Sequence, residues 1–307
     1  MKLKFLFAFA ISVGLIVTSC KKRDGIDSSV EQHNQDVNNT KSESDNLNTD
    51  INNALSNTSV MGKNNAVQTT SICGATIDSS HINDATPYII LTFDGTTTCD
   101  SRIRSGQVKV ELTQGAHWHD AGAVLRVTHT NYKVVYTSLN NHYLIFNGVK
   151  FLTDVNGIDW ISVWLGTDTI KVKERAYNQT VTFENGQTST WSVARISQWW
   201  MSNSGFQINA TAAADTVISG KNVDSWGTTR FNTSFITEMQ QPWQSNTTCG
   251  LWRPTSGIYK STTDNFTIQA TLGTDASGNQ ISSGCAYGLK LDWTLGVHSG
   301  NAVIGYW

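Results

Sequence analysis

The densest group of potential ligands in the chain is His117-Trp118-His119-Asp120, two imidazoles one residue apart with a carboxylate beside them. Neutral imidazole is the commonest nitrogen ligand, so His117 and His119 could supply half of a zinc or copper site, with His129 as a neighbour on the next alternating segment. No third or fourth ligand follows at a metal-binding spacing, and the competing expectation is a polar loop tip whose Trp118 folds back on a sheet. A second chemistry needs only two carboxylates facing each other across a cleft, as in glycoside hydrolysis, and Glu111, Glu174, Glu184 and Glu238 are the candidates. Glu111 falls on the wet face of an alternating segment and Glu184 at a turn, where solvated surface is the usual fate. Nucleophile-elbow, zinc-protease, phosphate-loop and calcium-loop patterns do not occur in the chain. The balance leans away from an enzyme: no catalytic residue is assigned and no cofactor is expected.

A third chemistry is recognition by aromatic faces. The chain has 11 tryptophans, the first of them Trp118. Most suit packing in strands. Trp199 and Trp200 are neighbours in an alternating segment, so their side chains point to opposite faces and one should leave the main core. Trp199, Trp200 and Trp118, set among Asn, Gln, Asp and Thr, are therefore the candidates for a platform that holds a sugar ring.

The elements that must position these groups are strands. Val108, Val110 and Leu112 alternate with Lys109, Glu111 and Thr113; Phe266, Ile268, Ala270 and Leu272 do the same, as do Leu289, Leu291 and Trp293. Period two of this kind marks half-buried strands. Further segments are Tyr88 to Phe93, Ala123 to Tyr136, His142 to Asp154, Thr180 to Glu184, Thr188 to Trp200, Phe206 to Ala213 and Thr229 to Thr237. Asn185-Gly186 is the strongest hairpin signal, with Asp275 to Gly278 and Asn147-Gly148 as weaker ones. No long helical segment separates neighbouring strands, so parallel crossovers are not expected. The expected fold class is all-β: an antiparallel meander of about a dozen strands, as a curved sheet or a sandwich.

Composition sets the outer limits. With 307 residues, 39% apolar and 15% charged, the chain is long and apolar enough to bury a core. A formal net charge of −2 encodes no electrostatic attraction to nucleic acid. The division expected is residues 1–19 as a signal, 20–71 as a disordered or weakly helical tether, and 72–307 as one β domain. Lys2 and Lys4, the apolar run Phe5 to Val17, and Val17-Thr18-Ser19-Cys20 follow the plan of a secretory signal too short to span a bilayer. From Lys21 to about Ser71 there is no Phe, Trp or Tyr, and Asn, Ser, Asp and Thr dominate. Such a stretch cannot form a core alone. Val30, Val37, Leu47, Ile51 and Leu55 recur at spacings that would suit one weak amphipathic helix around Ser44 to Asn57; a solvated linker fits as well.

Setting Cys20 aside leaves Cys73, Cys99, Cys249 and Cys285, an even number without a Cys-x-x-Cys pair, as expected in an oxidising compartment. Of three pairings, Cys73 with Cys99 and Cys249 with Cys285 are favoured, because each closes a short, turn-rich span.

Two resemblances extend these readings. The Val17 to Cys20 ending resembles the lipobox of bacterial lipoproteins, which implies that Cys20 becomes the lipid-bearing first residue and that the membrane is a partner through that anchor. Cys73-Gly74, Tyr88 to Asp94, Cys99-Asp100-Ser101-Arg102-Ile103-Arg104-Ser105-Gly106 and the strand Gln107 to Gln114 resemble, in that order, an uncharacterised family of Bacteroidota-type envelope lipoproteins. That resemblance implies an all-β protein anchored in the outer membrane, on its outer or periplasmic face, with no known activity to carry over. The expected role is a non-catalytic binding or scaffolding domain for a polysaccharide or an envelope protein. The alternatives are a carbohydrate-active hydrolase and a structural envelope-assembly protein.

Overall fold

The computed structural model describes residues 26–56, 71–138, 141–203, 205–251 and 253–306. The signal, Cys20 and Trp307 lie outside the described residues. The described residues open with helix α1 (Ser28–Ser56), after which the short strand β1 (Ala75–Asp78) leads into β2 (Tyr88–Cys99), β3 (Arg102–Gln114), β4 (Val124–Tyr136) and β5 (His142–Asp154). A one-turn helix α2 (Trp160–Trp164) precedes β6 (Thr169–Phe183), β7 (Thr188–Ser202) and β8 (Gly205–Ala212). The small strands β9 (Val217–Ile218), β10 (Lys221–Asn222) and β11 (Ser225–Thr228) follow, then β12 (Ser234–Asn246), β13 (Ser256–Thr263), β14 (Phe266–Thr274), β15 (Gly288–Leu295) and β16 (His298–Gly305).

Fourteen of these strands form one antiparallel sheet in nearly sequential order from β1 to β16. β8 and β11 share the space between β7 and β12: β11 pairs with Thr190 to Val193 of β7, and β8 with Arg195 to Ser202. The curved-sheet expectation therefore holds, and no second stacked sheet is needed, because the sheet curls around something else. Asn185-Gly186 turns between β6 and β7, Gly186 taking the positive φ such a turn requires. Asn147-Gly148 is not a turn. It sits inside β5 at a register shift against β6, where Gly148 takes a φ of 122°, so the signal marks a bulge.

What the sheet curls around is α1. From Ser29 to Leu55 no residue of this helix is exposed. The segment read as a solvated tether or a short helix near Ser44 is instead a 29-residue helix that the sheet encloses. Val30, Val37, Leu47, Ile51, Ala54 and Leu55 belong to the same apolar core as the inward faces of the strands. Its remaining buried positions are polar, among them His33, Asn34, Asp36, Lys41, Glu43, Asp45, Asn48 and Asn52. Asp27 caps the start, its Oδ1 accepting the Ser29 N–H at 2.8 Å. With seven asparagines and one alanine between Ser28 and Ser56, the helix is weak by intrinsic propensity, and tertiary contacts must stabilise it.

Both favoured disulfides form, Cys73–Cys99 and Cys249–Cys285. The first sits at the β2–β3 hairpin, whose turn is made by Asp100 and Ser101, both at positive φ. Gly106 follows at a register shift where a Cβ would stand 2.1 Å from the Asn131 carbonyl oxygen, so no larger residue fits.

Candidate functional site

Most acids of α1 meet bases that the rest of the chain brings to them. Asp36, Glu43 and Asp50 recur every seven residues, and each is held by a different arginine. Arg230 grips Asp36 with two nitrogens at 2.7 and 2.8 Å. Arg102 reaches Glu43 at 2.9 Å, and Arg104 pairs with Asp50. The Cys99 to Gly106 segment thus reads physically as a disulfide, a tight turn and two arginines aimed at the helix. Glu43 also accepts the Tyr132 hydroxyl at 2.5 Å. Further along, Glu174 on β6 receives Arg195 at 2.8 Å and Lys150 at 3.2 Å, and Ser44 of α1 donates to it at 2.7 Å. Lys150 also donates to Asn48 at 2.7 Å. Burial works against the Glu174 charge, but Arg195 and Lys150 outweigh it and hold the carboxyl well below its usual range. Burial lowers the Lys150 and Lys41 ammonium groups.

The carboxylates proposed for hydrolysis are therefore not assembled as a facing pair. Glu174 is enclosed among its cations. Glu111 pairs with Lys109 at 2.8 Å, and Glu238 with Lys221 at 2.8 Å. Glu184 lies beside Arg230 at 3.0 Å and His142 at 3.3 Å. Asp36 shares that arginine, and burial pushes its carboxyl up to about 6 against the pull of Arg230. Both Asp36 oxygens are taken by the guanidinium, so neither is directed at a substrate position.

His117 and His119 diverge. The buried His119 faces Asp154 at 3.1 Å, while the half-buried His117 faces Asp120 at 3.4 Å. His129 lies elsewhere in the interior, against Gln179 at 3.1 Å, where burial lowers its imidazole to about 3. Among the described residues no group of three or more His, Cys, Asp or Glu side chains could hold a metal. The metal expectation is thereby corrected: two imidazoles at alternate positions of a tight loop cannot converge when one of them is drawn under the sheet.

The tryptophan platform is corrected too. Trp118 and Trp199 are both fully buried. Trp118 donates from its indole to Asn52 of α1 at 2.7 Å, and Trp160 does the same to Asn53 at 3.1 Å. Trp199 packs edge-on against Trp160. Only Trp200, half-buried, turns to the other face of β7, as the alternation requires. Two of the three rings therefore hold α1 or the core.

Among the described residues a cavity that could take a ligand lies against one flank of α1. There β15 and β16 stand opposite the β2–β3 turn and the end of β4, and the floor between them is the asparagine face of the helix, Asn34, Asn38 and Asn46 among it. The cavity measures about 180 Å³, and its walls include Tyr136, Leu289, Ile304, Tyr306 and Pro254. It continues into a second hollow of about 220 Å³ past Asn39 and Tyr136 toward His142, Glu184 and Arg230. Several residues that line the first cavity also carry a buried polar atom without a partner, closed off from the cavity itself: Asn34 Nδ2, Asn46 Nδ2, Arg102 Nε and the Tyr136 hydroxyl. Asn34, Arg102 and Tyr136 are each more than nine-tenths buried. Burial drives the Tyr136 phenol upward, so it stays protonated and can donate. Buried polar atoms left unpaired cost about 1–3 kcal/mol each. The sequence held one signal for this flank, the run Asn34, Asn38, Ser42, Asn46 at four-residue steps. Nothing in the chain's text said that a sheet would leave that stripe open.

Compared with known proteins, the chain matches no family model, no curated protein and no solved structure. Fold and site together define the class: a disulfide-clipped antiparallel β protein wound on a central polar helix, with a cleft along the helix.

Proposed function

We propose that the protein is a lipid-anchored protein of the bacterial outer membrane, a member of the envelope lipoprotein family it resembles, whose β domain is a non-catalytic binding module. Its ligand on this reading is a glycan of the envelope or its surroundings. The observation that carries the binding role is the cleft beside α1, with apolar walls over an asparagine floor. A catalytic role would need a pair of carboxyls aimed into that cleft; Asp100 stands on its wall 3.8 Å from Arg102, and Asp36 and Glu184 in the adjoining hollow are bound to Arg230. The anchoring role rests on the Val17 to Cys20 ending. Among the described residues no helix is long and apolar enough to cross a membrane.

Two measurements test this. Metabolic labelling with a fatty-acid analogue should mark the wild-type protein and not Cys20→Ala, which would instead be released from the membrane fraction; an unlabelled wild type would remove the anchor. Titration of the protein in detergent with envelope polysaccharides should give saturable quenching of tryptophan fluorescence without change in the polysaccharide. Turnover lost on Glu184→Gln would establish the hydrolase instead.

A further inference from the structure

The enclosed helix sets how far the domain can stand from a bilayer. Because α1 starts at Ser28, only the steps from Cys20 to Ser28 separate it from the lipid-bearing residue of the reading above. Fully extended, those eight steps span at most about 29 Å. A flexible tether of about 50 residues would let the domain drift well clear of the membrane; this one holds it at the surface.

The same helix decides which end is held. Asp27 and Ser28 are exposed where α1 emerges from the sheet. His33, less than two turns further in, packs edge-on against Phe235 at 5.3 Å and Phe266 at 5.6 Å, and its Nε2 lies 2.8 Å from the Ser261 hydroxyl. Phe235 lies at the start of β12 and Phe266 opens β14, where it pairs with Leu295 at the end of β15. The helix therefore emerges among three turns, residues 229–233, 264–265 and 296–297.

Those turns carry apolar side chains that pack against little of the protein. Val297 is 95% exposed between β15 and β16, and Phe231, 40% exposed, sits in the turn that the Thr229 N–H closes on the Thr233 carbonyl oxygen at 2.8 Å. The acid among them, Asp264, accepts the Ser234 N–H at 2.9 Å. Lys21, Lys22 and Arg23 follow Cys20 directly, and cations so close to an anchor are drawn to anionic headgroups. A single bare valine elsewhere on the surface would need no explanation. Here it stands at the end to which the anchor is tied.

A second apolar patch lies at the opposite end. Ile161 and Trp164 of α2 and the following Leu165 are exposed, Leu165 by 72%, and the neighbouring Trp160 donates to Asn53 of α1 at 3.1 Å. From Ser28 to Asn53 the helix rises about 37 Å. Standing on the α2 end would lift Ser28 beyond an anchor that reaches at most about 29 Å.

We propose that the domain is seated on the phospholipid surface by the end that carries the N-terminus of α1, with Val297 and Phe231 entering the headgroup layer and the α2 end directed away from the bilayer. The inference rests on the Cys20 anchor and adds the surface and the orientation with which the domain meets its lipid partner. In this orientation the hollow lined by Gln32 and Gln35 is the membrane-proximal part of the cleft.

The test uses the full, lipidated chain in vesicles of phosphatidylethanolamine and phosphatidylglycerol, part of the lipid carrying a nitroxide high on the acyl chain. A thiol-reactive fluorophore is attached at Val297→Cys, Asn265→Cys or Leu165→Cys, all exposed positions, and urea midpoints equal to wild type show that the variants are folded. The nitroxide should remove most of the emission at 297, part of it at 265 and none at 165. Val297→Asp combined with the label at 265 should cut the quenching there severalfold, because a carboxylate resists transfer out of water. A chain that floats with the vesicles while 297 stays unquenched would overturn the seat and leave the anchor standing. Equal quenching at 297 and 165 would mean that the molecule lies on its side, and would overturn the orientation. A wild-type chain that neither floats with the vesicles nor carries lipid by mass would remove the anchor and this seat together.

Discussion

Replacing Leu47 by Ala distinguishes a tether from a structural axis in one experiment. Leu47 lies midway along α1 with 1% of its surface exposed, in the region where the helix meets Tyr132, Phe146 and Trp191. If residues 20–71 were a solvated linker, the substitution would change nothing. In the enclosed helix it deletes three buried carbons and leaves a cavity that stiff aromatic neighbours and the surrounding sheet cannot close. Substitutions of this kind cost about 2–5 kcal/mol, and the rigid surroundings place this one near 3 kcal/mol. With a urea dependence of about 3 kcal/mol per molar for a domain this size, the unfolding midpoint should fall by about 1 M. The assay is equilibrium urea unfolding with disulfides intact, followed by tryptophan fluorescence and far-ultraviolet dichroism on the same samples. Both probes should report one transition, shifted together. Gln35→Ala, half-buried at the cleft, serves as the control and should stay within about 0.5 kcal/mol of wild type. A Leu47→Ala midpoint equal to wild type would refute the enclosed helix. A separate early transition seen by dichroism alone would refute the claim that helix and sheet form one cooperative unit.

Glu43→Gln strips the charge that neutralises buried Arg102 and should destabilise by about 3–5 kcal/mol, whereas Glu43→Leu combined with Arg102→Met should recover most of that loss; equal costs for the single and double variants would contradict a coupled pair. Trp118→Phe leaves the Asn52 carbonyl oxygen unpaired under the sheet, at a cost of about 1–3 kcal/mol, and should not alter sugar affinity; weakened binding without destabilisation would return Trp118 to the recognition site. Stability should also fall with acid below neutrality. Burial lowers His33 to about 4 and His129 to about 3 in the folded state, so both contribute stability above pH 6.5 that is lost as the unfolded chain takes up their protons. Asp36, raised to about 6, opposes them, because its folded form takes up a proton between pH 6 and its unfolded value near 4. Asp50, also raised by burial, opposes them in the same sense, so the slope is steepest just below pH 6.5, where the histidines act alone, which urea midpoints across that range would show. His129→Gln should flatten it, and an unchanged slope would count against the buried neutral imidazole.

The strands were legible because their information is local. Apolar residues at alternate positions have one dry face whatever they pack against, and His142 to Asp154 could be bounded to the residue. The disulfide pairs were legible for a related reason, since short, turn-rich spans bring their ends together by chain geometry. The helix was not. Between Ser28 and Ser56 the intrinsic preference is poor and the apolar stripe narrow, and the polar residues that look like linker are buried because Arg102, Arg104, Lys150, Arg195 and Arg230 arrive from four distant places to meet them. Acids at positions 36, 43 and 50 held a seven-residue rhythm, yet a rhythm of charges does not reveal its partners. The same reasoning accounts for the site. Trp118, Trp199, His117 and His119 were the right kinds of residue for recognition or metal binding, but side-chain type fixes only what a group can do. Whether a ring or an imidazole faces solvent or core depends on which way the sheet curls, and that is decided by fourteen strands closing on one helix. What the amino-acid text determined by itself was period, turn and cross-link; which polar groups would be left unpaired along α1 was decided by the tertiary fold, because an unpaired donor is defined by the neighbours that fail to reach it.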